Sequence, residues 1–297
     1  DTGRELKLNA GNGWKGTFDG LRKYKAGTAD EIAYTVKEDP VANYDGDVTG
    51  DAASGFTITN TNTETVKVPV EKKWVGPKGS EVTVRLLADG NPVAGKELKL
   101  NEGNGWRGSF DGLPKYGADG SEISYTVTEA EVSGVDSSKY GTAVEGDAAG
   151  GFTITNTNKE TVKVPVEKKW VGPKGSEVTV RLLADGADTG KSLKLDEGNG
   201  WKGSFDGLPK YNADGSEIAY TVTEAEVSGV DSSKYGTAVE GDAASGFTIT
   251  NTNKETVDVS GTKSWEDDGD RDGVRPASIT VNLMRDGAKA DSRTVTP

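Results

Sequence analysis

Apolar and polar residues alternate in short runs along most of this 297-residue chain. Because successive side chains of a β-strand point to opposite faces, such runs predict half-buried strands. Clusters of Gly, Asp, Asn and Pro separate the runs, as turns require. No stretch has the period of an amphipathic helix. The pattern predicts an all-β protein built from β-sandwiches. The runs are EVTVRLL, KELKL, GWRGSF, ISYTVTE and FTITN.

The strand pattern repeats within the chain. The stretch VKVPVEKKWVGPKGSEVTVRLLADG begins at Val66 and again at Val162, and GFTITNTN begins at Gly151 and again at Gly246. Internal repetition at a fixed period indicates tandem structural units. We therefore predict a linear array of similar domains.

The array is predicted to contain two complete repeats between two partial ones. No Gly/Ser-rich spacer lies between Asn158 and Val162, so successive domains should abut with limited bending. The predicted segments are the back part of a repeat at 1–63, complete repeats at 64–159 and 160–254, and the front part of a further repeat at 255–297.

Three polar residues occupy apolar positions of the pattern. Lys72 has the parity of the valines in VKVPVEKKW, Glu129 that of the apolar residues in ISYTVTE, and Asn156 that of Phe and Ile in FTITN. An amine, a carboxyl and a carboxamide should therefore point into one core. Since unsatisfied buried polar groups are costly, the three are expected to interact. The same pattern recurs at Lys168, Glu224 and Asn251.

These groups could react with one another. Burial favours the neutral form of the Lys72 amine, which is then a nucleophile. A buried, neutral Glu129 could polarise the Asn156 carbonyl and move protons to departing ammonia. Fixed proximity would make this amide exchange feasible. Each repeat would react once, which is autocatalytic maturation and not enzymatic turnover.

The alternative is ordinary structure. Lys72 would then extend to the surface, Glu129 would be a strand-end carboxylate, and Asn156 would cap a turn. Strand parity alone does not decide between the covalent and the ordinary interpretation.

Longer motifs extend over essentially the whole chain. They are VDVSGTKSW, DGVRPASITVNLMRDG, GNGWRGSFDGLPKY, YTVTE and GFTITNTN. With these motifs the repeats resemble Cna B-type domains, the stalk repeats of Gram-positive adhesins and pilins. The resemblance implies tandem Ig-like or prealbumin-like β-sandwiches.

The resemblance also implies a bond between an inward Lys of the first strand and an Asn of the last, assisted by an acidic residue. Alignment on the tryptophan makes Lys263 equivalent to Lys72 and not to Lys73, although VEKKW departs from the family's GTKSW. The implied isopeptide residues are Lys72 with Asn156 and Lys168 with Asn251, and the implied acids are Glu129, Glu224 and Glu38.

The end segments contain incomplete sets. The first has Glu38 and Asn60 without the lysine, and the last has Lys263 without the acid or the asparagine. Asn60 and Lys263 are therefore expected to be unpaired within this chain.

Composition excludes several classes of function. Acidic residues outnumber basic ones by 48 to 35, which argues against nucleic acid as a partner. There is no apolar run of about 18 residues, so no direct membrane insertion is expected. The absence of Cys and His removes thiol nucleophiles, His bases and the usual zinc ligands. We expect no cofactor and no enzymatic turnover.

Asp268 to Gly273 reads DGDRDG, like the opening of a calcium loop. Its twelfth position is Ile279 and not Glu, so an acidic turn without metal is expected.

The preferred interpretation is a structural stalk. Since the chain opens in the middle of a repeat, we expect a longer parent protein, extracellular and anchored to the cell wall by a segment outside this chain. Its partners would be neighbouring repeats, with any host surface ligand bound elsewhere in the parent. The alternative is an adhesin module that binds a host matrix protein or glycan. The loop at 133–140 recurs unchanged at 228–235, which favours the stalk.

Overall fold

The strands account for nearly all regular structure in the computed structural model, which describes residues 2–296. The first segment contains β1 (Tyr44–Asp51) and β2 (Gly55–Asn62). Four 3₁₀ turns span Ala10–Asn12, Glu102–Asn104, Ser137–Lys139 and Ser232–Lys234.

Each complete repeat contributes seven strands. The strands of the first are β3 (Thr65–Val75), β4 (Glu81–Ala88), β5 (Asn91–Asn101), β6 (Arg107–Pro114), β7 (Tyr125–Ser133), β8 (Tyr140–Asp147) and β9 (Gly151–Asn158). Those of the second are β10 (Thr161–Val171), β11 (Glu177–Ala184), β12 (Ala187–Asp196), β13 (Lys202–Pro209), β14 (Tyr220–Ser228), β15 (Tyr235–Asp242) and β16 (Gly246–Asn253). The last segment contains β17 (Ile279–Arg285) and β18 (Ala288–Val295).

Two sheets form each complete repeat. In the first repeat the strand orders are β6-β3-β9-β8 and β5-β4-β7, and in the second they are β13-β10-β16-β15 and β12-β11-β14. Neighbouring strands are antiparallel except β3 with β9 and β10 with β16, which are parallel. The first and last strands of a repeat therefore lie side by side in the centre of its larger sheet.

The core lies between the two sheets. Val68 of β3, Val84 and Leu86 of β4, Leu100 of β5 and Ile154 of β9 are fully buried. Complete burial of such a side chain contributes about 1.5–3 kcal/mol. One continuous cluster joins both sheets of the repeat, and a corresponding cluster fills the second repeat. The predicted all-β architecture of tandem sandwiches is confirmed.

Strand β8 was not among the runs predicted from alternation. Apart from Tyr140 and Gly141 its residues are exposed, so no apolar period marks it. It is the edge strand of the larger sheet and pairs only with β9.

Trp106 of the GNGW motif packs against the core of the first repeat but is not in a strand, contrary to prediction. Trp106 has φ of 60° and follows a 3₁₀ turn, and β6 begins one residue later. Its backbone N–H donates to the Asn101 carbonyl at 2.9 Å, which closes the turn. The indole meets Trp74 edge to face, with ring centroids 5.5 Å apart.

The end segments form strands only where the chain supplies a partner. In the complete repeats β8 pairs with β9, and β4 with β5. The counterparts of β8 and β9 in the first segment form the hairpin β1–β2, and those of β4 and β5 in the last form β17–β18. Four other counterparts have no partner strand and remain irregular among the described residues. They are those of β5, β6 and β7 in the first segment and that of β3 in the last.

Glu160 connects the two sandwiches. Strand β9 ends at Asn158 and β10 begins at Thr161. The Glu160 carboxylate accepts a hydrogen bond from Lys139 Nζ at 3.0 Å, while its backbone carbonyl accepts from the Lys210 N–H at 3.0 Å. One linker residue thus contacts both repeats.

One methyl group added at Gly146 of β8 is expected to lower the stability of the repeat strongly. Its φ is +101°, and a Cβ there would lie 2.2 Å from the Gly151 carbonyl oxygen. We expect Gly146→Ala to destabilise its repeat by about 3 kcal/mol. Gly120→Ala is the matched control, because its φ is +82° but no atom lies within 4 Å of the added carbon. It should lose only about 1 kcal/mol.

Hydrogen exchange of peptides unique to each repeat would measure both changes, with the second repeat as an internal reference. Equal destabilisation by the two substitutions would contradict the steric explanation.

Candidate functional site

Lys72 lies in the middle of β3 and points into the core. Its side chain is 0% exposed. The Nζ atom donates to the carbonyls of Lys73 at 3.0 Å and Ile154 at 3.4 Å. It also lies 4.3 Å from the centroid of the Trp74 ring, within cation–π range. The amine is therefore held by backbone oxygens and an aromatic face, without access to bulk water.

The carboxyl group of Glu129 lies between the amine and a carboxamide. Lys72 Nζ is 3.6 Å from Glu129 Oε2, and Asn156 Nδ2 donates to Glu129 Oε1 at 3.0 Å. The Glu129 side chain is 10% exposed. The structure thus brings together the three residues that strand parity selected.

Strand register aligns the amine with the carboxamide. The parallel ladder places Lys72 opposite Ile154 and Trp74 opposite Asn156. Because side chains alternate, Lys72 and Asn156 lie on the same inner face of neighbouring strands.

A bulge in β7 adjoins the carboxyl group. Glu129 pairs with Val84 and Glu131 with Thr83, so Ala130 is the extra residue. Bulges of this kind redirect side chains next to functional sites. The carboxyl group is supplied by the smaller sheet, while the other two groups belong to the larger one.

The second repeat has the same site. Lys168 Nζ lies 3.5 Å from Glu224 Oε2, and Asn251 Nδ2 donates to Glu224 Oε1 at 3.0 Å. Lys168 likewise donates to the carbonyls of Lys169 and Ile249.

Burial lowers the pKa of the Lys72 amine from 10.5 to about 8, and the nearby Glu129 carboxylate only partly opposes this shift. The pKa of Lys168 is also lowered to about 8, for the same reasons. About a tenth of such an amine is neutral at pH 7. A neutral amine with a free electron pair is the form that can attack a carbonyl carbon.

Two oxygens of the site are buried without a hydrogen-bond partner among the described residues, Glu129 Oε2 and Asn156 Oδ1. Their counterparts in the second repeat, Glu224 Oε2 and Asn251 Oδ1, share this condition. An unpaired buried oxygen costs about 1–3 kcal/mol. Both types of oxygen would accept protons or hydrogen bonds if the amine attacked the carboxamide.

The partial segments hold fragments of the site. Asn60 Nδ2 donates to Glu38 Oε1 at 3.0 Å, so the acid and the carboxamide meet without a lysine. Lys263 lies in an irregular, exposed stretch, where its Nζ donates to the Ser264 carbonyl and lies 4.1 Å from the Trp265 ring centroid.

The sequence pattern did not identify one residue that contacts the site, Thr142. The hydroxyl of Thr142, on β8, donates to Glu129 Oε1 at 3.3 Å. Its only signal was the recurrence of YGTAVEGD in both repeats, which does not distinguish one polar residue from another.

No three His, Cys, Asp or Glu side chains converge as a metal site within residues 2–296. In the acidic turn, Arg275 pairs with Asp267 and Arg271 lies 3.3 Å from Asp268. No helix in the described part of the chain has the length and apolar character needed to cross a membrane.

The fold and the repeated site define a tandem β-sandwich repeat protein. The family model for the Cna protein B-type domain matches four stretches, and the chain belongs to this family, which confirms the resemblance. The matched residues are 1–61, 68–157, 164–252 and 259–297.

Relatives of the chain include surface proteins of Gram-positive bacteria. It is 35% identical to a collagen adhesin of Staphylococcus aureus over 99% of the chain and 25% of the adhesin, so it spans a quarter of that protein. The crystal structure of two B repeat units of the S. aureus collagen binding protein is 33% identical, with a TM-score of 0.44, covering 98% of this chain and 76% of that one. The shaft pilin SpaA of Lactobacillus rhamnosus GG is 13% identical, with a TM-score of 0.24, covering 66% of this chain and all of that one.

The site predicts an unusual titration of Lys72. In an Asn156→Ala variant the amine has no carboxamide to attack, and the NMR signal of its Cε atom should titrate near pH 8, below the ordinary 10.5. Burial disfavours the ammonium form, whereas Glu129 favours it. Adding Glu129→Gln should therefore lower the midpoint further. The signal is assigned by its loss in Lys72→Arg, and a midpoint at 10.5 or above would contradict the burial of the amine.

Proposed function

We propose that the chain is a structural stalk of a bacterial cell-surface protein, in which each complete repeat is closed by an autocatalytic amide bond. The bonds join Lys72 to Asn156 and Lys168 to Asn251. The observation that carries this proposal is the recurrence of a buried amine, carboxyl and carboxamide in both repeats. Their distances agree to within 0.1 Å between the repeats.

The bond forms in one balanced step. Lys72 gives a proton to Glu129, and the neutral Nζ attacks Cγ of Asn156. A new Nζ–Cγ bond forms and the Cγ–Nδ2 bond breaks. Nζ loses two protons in all, and both pass through Glu129 to Nδ2, which leaves as an ammonium ion. The carboxylate of Glu129 is thereby restored, and the exchange of one amide for another needs no oxidant, reductant or cofactor.

Glu129 and Glu224 are the catalytic acids and bases of this single turnover. Glu38 already contacts Asn60. If a strand that carries the lysine completed this repeat, Glu38 would transfer protons to Asn60 in the same reaction.

A cross-link at this place stabilises a repeat strongly. Lys72 and Asn156 are 84 positions apart. Closing a loop of this length stabilises by about 4.6 kcal/mol in the chain-entropy description used for disulfides. Typical domains are stable by about 5–15 kcal/mol. The chain contains no Cys, so no disulfide can supply this stabilisation.

The bond also suits a stalk mechanically. Since β3 and β9 are the first and last strands of the repeat, tension that enters at β3 would pass through the bond into β9. It would then continue through the linker at Glu160 to β10. The other strands would carry little of the load.

This function assigns the chain to an extracellular, cell-wall anchored parent with domains at 64–159 and 160–254 and partial repeats at 1–63 and 255–297. Neighbouring repeats of the parent are its partners.

Intact mass tests the bonds directly. The natural chain should be lighter than its calculated mass by two molecules of ammonia, one for each complete site. Lys72→Ala and Glu129→Ala should each retain one ammonia, because each disables only the first site. Lys73→Ala and Glu131→Ala are matched controls on the same strands, with exposed side chains, and should lose both. The full calculated mass for the folded natural chain would refute the proposal.

The bond should also appear as non-additive stability. Lys72→Ala and Asn156→Ala each remove the same cross-link, worth about 4.6 kcal/mol. The double variant should therefore lose little more than either single variant. Urea unfolding of each protein would measure this, with Lys73→Ala as the control. Strictly additive losses would show that the two residues contribute independently.

A further inference from the structure

The hydroxyl group of a threonine donates a second hydrogen bond to one oxygen of the glutamate carboxyl group. Thr142 Oγ1 donates to Glu129 Oε1 at 3.3 Å, and Asn156 Nδ2 donates to the same oxygen at 3.0 Å. Thr142 lies directly opposite Asn156 in the β8–β9 ladder. Directly opposed residues point to the same face of a sheet, so the contact is fixed by the register.

The second repeat contains the same arrangement. Thr237 Oγ1 donates to Glu224 Oε1 at 3.2 Å, and Thr237 lies opposite Asn251. The partial first segment has Gly46 at this position, opposite Asn60. A hydroxyl therefore accompanies the glutamate–asparagine pair in both complete repeats, and not in the partial first segment.

The two oxygens of the carboxyl group thus have different surroundings. Oε1 of Glu129 accepts two hydrogen bonds, while Oε2 is buried without one and lies 3.6 Å from Lys72 Nζ. Donors on Oε1 reduce its basicity, so a proton from the amine is directed to Oε2. They also fix the plane of the carboxyl group, which otherwise rotates freely about its last torsion.

We propose that Thr142 and Thr237 are positioning residues for the cross-linking reaction. Each holds its glutamate so that Oε2 faces the lysine and receives the first proton. This inference rests on the proposed function, because it concerns the rate of that reaction.

Thr142 acts from the solvent side of the site. The residue itself is exposed, whereas the Glu129 side chain is 10% exposed. Its hydroxyl therefore contacts Oε1 from the exposed edge strand of the larger sheet. Water could replace the hydrogen bond but would not hold the carboxyl plane, because it is not attached to β8.

Thr142→Val and Thr142→Ser separate the hydroxyl from the shape of the side chain. Valine retains the branched shape on an exposed edge strand but cannot donate, and serine retains the hydroxyl. We expect cross-linking of the first repeat to slow about tenfold in Thr142→Val, as expected for loss of a hydrogen bond to a charged group. Thr142→Ser should react at nearly the natural rate.

The second repeat is an internal reference in the same chain. Full-length protein is synthesised in a cell-free system and quenched in acidic denaturant at successive times. Trypsin then releases Asn156 and Asn251 in peptides that differ in mass, because Gly150 corresponds to Ser245. The fraction of each peptide joined to its lysine gives a separate rate for each repeat. Thr237→Val should slow only the second repeat.

Each outcome has a distinct meaning. A natural rate in both Thr142→Val and Thr237→Val would overturn the positioning role and leave the cross-link intact. Equal slowing by valine and serine would also overturn it, because the hydroxyl would not matter. Absence of cross-linking in both repeats of the natural chain would instead refute the proposed function, and the positioning role with it.

Discussion

The parallel pairing of the first and last strands of a repeat is the constraint on which the structure depends. It places Lys72 beside Asn156 on the inner face of one sheet, and only a carboxyl group from the other sheet contacts both. A shift of one residue would turn Asn156 outward and leave a buried amine with a carboxylate alone. The same strand register is therefore required both for core packing and for the candidate site. The same pairing makes the first and last strands neighbours, as the proposed stalk under tension needs.

Alternation in the sequence predicted the strands that bury one face, and with them the inward direction of Lys72, Glu129 and Asn156. It did not predict β8, because an edge strand exposed on both faces has no apolar period. Thr142 was missed for the same reason, since it lies on that strand. The distances between the three groups depend on strand order and on the bulge at Ala130. The alternation of apolar and polar residues along a strand specifies neither of them.

The end segments show how far local sequence determines structure here. The GNGW motif occurs three times, yet Trp14 is 68% exposed and Trp201 is 8% exposed. The stretch VDVSGTKSW corresponds to β3 but forms no strand. In each case the missing element is a partner strand distant in sequence. Local pattern supplies the tendency to form a strand, whereas the hydrogen-bonded ladder and the buried face require non-local pairing.

Before any reaction, the buried polar site lowers the stability of the repeat relative to a purely apolar core. A buried ion pair is often less stabilising than apolar side chains of the same volume, and Asn156 Oδ1, buried without a hydrogen bond, adds to the cost. The proposed reaction changes this balance, because it converts a buried amine and a primary carboxamide into one neutral secondary amide. Ammonia carries away the surplus donors, and the lysine no longer has a charge to bury. A site that is unfavourable before the reaction and favourable after it would make closure of the repeat effectively irreversible.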